Sequence, residues 1–170
     1  MADIEKVKLK MQNEEYMNEL LEYQVSAHFE CNISVLGKPE SYSRERKGKN
    51  SFYNLKSKKM NKFRIDALKS LDKYKRDELS RIIQFNSIDV RLEIRYYLPI
   101  QKGDSIKDTI LKEKGLIRPR TRPDLDNYDK FLLASLHAVL YKDDSVVTSI
   151  SSKKFYSLTP RTEIEVDIYY

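Results

Sequence analysis

Apolar residues along this chain switch between two spacings, and the switches divide it into elements. Residues 5–23 contain no Gly or Pro, and Tyr16, Met17, Leu20 and Leu21 share one face at helical spacing, which predicts a leading helix. Over residues 25–36 the period becomes two. Val25, Ala27, Phe29, Cys31, Ile33 and Val35 alternate with Ser26, His28, Glu30, Asn32 and Ser34, the pattern of a half-buried strand that Gly37 and Pro39 end. Helical spacing returns in residues 60–85 through Met60, Phe63, Ala67, Leu71, Tyr74, Leu79, Ile82 and Ile83. A phase slip across the charged residues 75–78 makes this one kinked helix or two. Residues 89–98 alternate again, with Val90, Leu92, Ile94, Tyr96 and Leu98 against Arg91, Glu93 and Arg95. Residues 101–122 read as a polar connection, and Pro119 and Pro123 hold its end away from helix. A helix capped by Asp126 or Asn127 follows, with Phe131, Leu132, Leu136, Val139 and Leu140 as its buried stripe. Residues 146–156 and 162–170 read as two further strands, near enough in sequence to pair as a hairpin.

Strands and helices are interspersed, which predicts an α+β fold: a single domain with a mixed four-stranded sheet covered by helices. The 170 residues suit one domain with its own core, so residues 1–24 are expected to be a helical extension and residues 25–170 the main domain.

The net charge of +6 is unevenly spread. Residues 1–24 hold six acidic and three basic side chains, whereas residues 44–64 hold nine basic and one acidic. Tyr42, Phe52, Tyr53 and Phe63 are interleaved with that basic run, the footprint expected for contact with nucleic-acid phosphates. The single cysteine, Cys31, forms no internal disulfide, and no stretch suits a signal peptide or membrane span, so the chain reads as soluble and cytoplasmic. The two histidines offer no zinc spacing, and there is no Gly-rich phosphate loop or nucleophile elbow. No organic cofactor is expected.

Two acidic pairs remain, Asp124/Asp126 and Asp143/Asp144, at the two ends of one apolar helix. With Pro123 favouring extended backbone, the carboxylates of Asp124 and Asp126 are expected on one side, roughly 6.6 Å apart. Hard oxygen ligands without His or Cys suit Mg2+ or Mn2+ with substrate phosphate completing the shell. Lys130, four residues after Asp126, lies one helical turn on, where an ammonium neutralises charge on an attacked phosphate. The plain alternative is that the first pair caps the helix and the second is a solvated turn. His28 and His137 read as surface or satisfied side chains.

The stretch PDLDNYDKFLLASLHAVLYKDDSVV resembles the signature of the RusA family of Holliday-junction resolvases, in which Asp-Leu-Asp-Asn and a following Lys open a helix that leads to Asp-Asp. The resemblance puts Asp124, Asp126 and Asp144 in the places of the essential carboxylates and metal ligands, Lys130 in that of the functional lysine, and Asp143 as an outer or alternate ligand. Lys154 matches a basic residue ten positions beyond the second pair, and Gly37, Pro39, Arg44 and Arg46 look like the family's opening. An acidic residue common in the helix is Ala134 here, and a glycine common near its end is Ala138. The leading helix lies outside the family core.

That resemblance implies a RusA-like homodimer, typical of phage or prophage recombination, that binds four-way junctions and makes paired nicks with Mg2+. Arg44, Arg46, Lys47, Lys49, Lys56, Lys58 and Lys59, with Arg118, Arg120, Arg122 and Lys154, are the expected DNA contacts. A helix over residues 127–140 would be roughly 21 Å long and would part Asp126 from Asp144, a gap that a carboxylate from a second subunit would close. Two other readings stay open: a nuclease preferring forks or flaps, and a non-catalytic DNA-binding accessory protein.

Overall fold

The computed structural model describes residues 4–23, 27–42, 57–85 and 87–170. The leading helical segment is present as two helices, α1 (Ile4–Met11) and α2 (Glu14–Tyr23). They part at Asn13, whose side-chain oxygen accepts from the Tyr16 N–H at 3.0 Å and so starts the second helix. Strand β1 (His28–Leu36) keeps the period-two pattern, with Phe29, Cys31, Ile33 and Val35 buried.

The next helical region is two helices, α3 (Ser57–Ser70) and α4 (Lys73–Ile82). The break falls at Leu71–Asp72 and not in the charged run, because the Asp72 carboxylate caps α4 by accepting from the Lys75 N–H at 2.8 Å. Strand β2 (Asp89–Pro99) follows. The expected polar connection contains a helix, α5 (Ile106–Glu113), capped by the Ser105 hydroxyl on the Asp108 N–H at 3.0 Å. Ile106, Ile110 and Leu111 share one side at helical spacing, yet none of its residues is buried.

Helix α6 (Leu125–Leu136) begins earlier than expected and ends earlier. Asp124 occupies the capping position, and Asp126 lies in the first turn. The chain leaves the helix at His137 (φ −53, ψ 133), and Ala138 at φ +66 continues a tight turn from which Val139 and Leu140 are buried. A short 3-10 turn (Asp144–Val146) leads to β3 (Val147–Ser157), and β4 (Arg161–Tyr169) ends the sheet.

The sheet order is β1-β4-β2-β3, with β4 antiparallel to both neighbours and β2 parallel to β3. The last two strands therefore do not form the expected hairpin, because β2 lies between them. The reason is burial: the inward residues Val90, Leu92, Ile94, Tyr96 and Leu98 of β2 are at most 7% exposed, whereas β3 is largely solvent-facing until Tyr156 and Ser157. A strand with a Ser-Ser-Lys-Lys centre fits an edge and β2 a middle position.

One face of the sheet carries the core, built with Ala67 and Leu71 of α3, Leu79 and Ile82 of α4, and Tyr128, Leu132 and Leu136 of α6. The buried side chains of α6, Tyr128, Phe131, Leu132, Ser135 and Leu136, repeat at helical spacing, which turns Asp126 and Lys130 outward. Among the described residues, no helix is long and apolar enough to cross a membrane.

Candidate functional site

The two acidic pairs flank α6 but serve it differently. Asp124 has extended backbone (φ −69, ψ 155) at the capping position, yet its side chain makes no capping hydrogen bond. Asp126 is helical, so the expected extended i, i+2 geometry does not form. What brings the pair together is the first turn of the helix: Asp124, Asp126, Asn127 and Lys130 line one polar depression with Tyr42, Arg122 and Pro123. The Lys130 ammonium donates to Asp126 Oδ2 at 2.8 Å. That contact, more than any other, holds the Asp126 carboxyl below its ordinary range.

The loop after β1 reaches this depression as well. Gly37 turns with φ +110, and its N–H donates to the Pro160 carbonyl at 2.9 Å. Five residues on, the Tyr42 N–H donates to the Asn127 carbonyl at 2.6 Å. The chain thus reaches the acidic end of α6 at Tyr42. Arg44, Arg46, Lys47, Lys49 and Lys56 lie outside the described residues. Lys58 and Lys59 are exposed on α3, where Lys59 pairs with Glu40 at 2.8 Å.

At the other end of α6 the chain folds back. The Ala138 N–H donates to the Tyr141 carbonyl at 2.8 Å, and the Tyr141 hydroxyl donates to the Leu133 carbonyl at 2.9 Å. As a result Asp144 lines a second depression with Arg64, Leu133, Ala134, His137, Tyr141 and the same Lys130. The helix is 12 residues, not 14, and Lys130 is the side chain that borders both depressions. Asp143 is the capping member of its pair: its carboxylate accepts from the Ser145 N–H at 2.8 Å, which lowers its pKa.

The expected DNA contacts divide in the same way. Arg120 and Arg122 are exposed. Arg118 lies 3.8 Å from the ring centroid of Phe155 and donates to the Lys154 carbonyl. The Lys154 ammonium faces inward to two main-chain carbonyls, Thr121 and Pro123, each at 3.1 Å. Arg64, the last residue of the basic run, donates to the Ser135 and Ala134 carbonyls at 2.8 and 2.9 Å and so caps the end of α6.

Two features escaped the sequence. Asp129 accepts from the Tyr96 hydroxyl at 2.8 Å and from the Ser152 hydroxyl at 2.9 Å, tying α6 to β2 and β3. An inward-facing tyrosine on β2 was the available signal, since a buried phenol needs an acceptor. Burial and the adjacent carboxylate push the Tyr96 phenol far up, so it stays a donor. On the open face of the sheet, His28, Glu30 and Asp167 bring ligand atoms within 4.8 Å of one another, with His28 Nε2 3.0 Å from Asp167 Oδ1. Asp124, Asp126 and Asp144 are not gathered as closely.

A stretch of 79 residues is 42% identical to the uncharacterized protein YqaN of Bacillus subtilis (strain 168). The match takes in 45% of this chain and 56% of YqaN, so the chain spans about half the length of that relative. The family model of the endodeoxyribonuclease RusA matches residues 32–167. That match covers most of the chain and takes in both acidic pairs and Lys130, and the chain belongs to the RusA endodeoxyribonuclease family.

Proposed function

We propose that the chain is a metal-dependent nuclease that resolves Holliday junctions in DNA recombination and repair by paired phosphodiester hydrolysis. The supporting observation is the acidic mouth of α6. Asp124 holds the capping position without capping, and Asp126 and Lys130 share its depression. An Asp124 that served only the helix would be bonded to its first N–H groups.

Carboxylate oxygens without Cys or His fit Mg2+, with Mn2+ as a substitute. Asp124, Asp126 and Asp144 would hold the ion, with Asp143 beside them in its bond to Ser145. A bound divalent ion supplies Lewis acidity toward phosphate and a more acidic water. Lys130 borders both depressions, and there its ammonium steadies the negative charge that grows on an attacked phosphate. The basic residues 44–59, with Arg118, Arg120 and Arg122, grip backbone phosphates, so affinity for DNA falls steeply with salt. In this reading residues 25–170 are the nuclease domain and residues 1–24 an extension. A homodimer presents two such sites to the two opposed strands of a junction.

The test is cleavage of a labelled synthetic four-way junction by wild type and Asp126→Asn, each with Mg2+ and with EDTA. Symmetrical nicks that need metal and vanish in Asp126→Asn support the reading. Stronger cutting of forks or flaps reassigns the substrate. Binding without cutting at any metal concentration makes the acidic pairs structural.

A further inference from the structure

The carboxylate of Asp129 has no evident reason to be on the sheet side of α6. An apolar residue there would extend the stripe of Tyr128 and Leu132. Instead both oxygens of Asp129 are held, one by the Tyr96 hydroxyl at 2.8 Å and the other by the Ser152 hydroxyl at 2.9 Å. Tyr96 is 1% exposed and has no freedom to follow a moving helix.

Ser152 belongs to β3, and the next inward residue of that strand is Lys154. Its ammonium binds the carbonyls of Thr121 and Pro123, just before Asp124. One strand therefore grips both sides of the acidic mouth: the turn before Asp124 through Lys154, and the helix after it through Ser152 and Asp129. The same strand starts directly after the 3-10 turn that opens with Asp144. Residues of β3 pair with β2 through Ser157, so the strand is a stiff spacer between Asp144 and the Asp124/Asp126 pair.

We propose that Asp129, clamped between Tyr96 and Ser152, is a positioning residue that sets Asp124 and Asp126 in register with Asp144 for the metal ion. The inference rests on the proposed metal site. Asp129 touches neither metal nor substrate. It acts by fixing the rotation and height of the first turn of α6, and supporting groups of this kind change metal affinity when removed.

The experiment measures Mn2+ binding to the full chain by electron paramagnetic resonance, with thermal melting and junction binding in EDTA alongside. Asp129→Ala weakens Mn2+ binding by roughly tenfold or more, while junction binding in EDTA holds. Ser152→Ala weakens it less, because the Tyr96 bond remains. Asp129→Asn recovers most of the loss, since its carbonyl keeps one hydroxyl and the Tyr96 or Ser152 hydroxyl rotates to accept from its amide. Unchanged Mn2+ affinity in Asp129→Ala, with only a lower melting temperature, reduces the clamp to a structural pin and overturns the inference. A loss in Asp129→Asn as large as in Asp129→Ala assigns the effect to charge and overturns it too. If Asp129→Ala does not fold, Ser152→Ala on the edge strand decides, and wild-type affinity there overturns the proposal. Failure of the wild type to bind Mn2+ is a separate result that removes the metal reading itself.

Discussion

By charge alone Arg64 belongs to the phosphate-gripping run, but its guanidinium is committed to the end of α6. Nε donates to the Ser135 carbonyl at 2.8 Å, one terminal nitrogen to the Ala134 carbonyl at 2.9 Å, and the other to Asn61 Oδ1 at 3.1 Å. Arg64→Met keeps the aliphatic stem and removes the bonds that join α3 to α6. A hydrogen bond from a charged donor contributes about 1.5–3 kcal/mol when its acceptor is left without a replacement. Both carbonyl bonds are only part-buried, so water takes over some of each. The expected loss for the pair is therefore about 2 kcal/mol, which lowers Tm by roughly 4–8 °C in a chain of this size. Urea unfolding should show a lower midpoint with an unchanged slope. Arg64→Lys keeps the positive charge at the negative helix end and loses about half as much. Junction binding across a salt series, measured on the same proteins, should keep its slope. Melting within about 1 °C of wild type, or a salt slope reduced by about one, would refute the argument and return Arg64 to the phosphate contacts.

Other residues give equally direct tests. Ala138 stands at φ +66, where a Cβ costs about 1–2 kcal/mol and glycine avoids that strain at some entropic cost. Ala138→Gly should therefore raise stability by roughly 0.5–1 kcal/mol in urea unfolding, and a destabilised variant would contradict the observed turn. Burial pushes the Cys31 thiol from 9.0 up to about 11, so its contribution to stability is full below pH 9.0 and is lost as pH rises through about 11. The stability difference between wild type and Cys31→Ala should shrink by about 2 kcal/mol over that window, and a constant difference would count against burial as the cause. Lys154→Met should lower cutting without changing the salt slope of DNA affinity, because its ammonium faces the Thr121 and Pro123 carbonyls. A slope smaller by about one would make it a phosphate contact.

Much of the chain could be read from spacing alone. Strands β1, β2 and β4 and the stripe of α6 each bury one side of a regular element, and such burial leaves a period of two or of helical repeat in the sequence. The spacing of Asp126 and Lys130 likewise placed them one turn apart on a helix, where they pair. Helix α5 left only a short trace, Ile106, Ile110 and Leu111, and none of its residues is buried. Nor did spacing show the end of α6, since Val139 and Leu140 continue its rhythm but are buried from a turn.

The order of strands, the different surroundings of Asp143 and Asp144, and the bonds that hold Asp129 were settled only by tertiary structure. Strand β2 separates β3 from β4 because its buried face is more continuous than that of β3, a comparison between distant segments. Asp143 is taken up by Ser145 while Asp144 faces Lys130 across a depression, because the chain reverses after α6. Asp129 is held by hydroxyls 33 and 23 residues away. Local sequence records which side of an element is buried, whereas a hydrogen bond between remote segments imposes no spacing on either one, so the sequence by itself determined most of the elements and the positions of the acidic pairs around α6, and the folded chain determined how they meet.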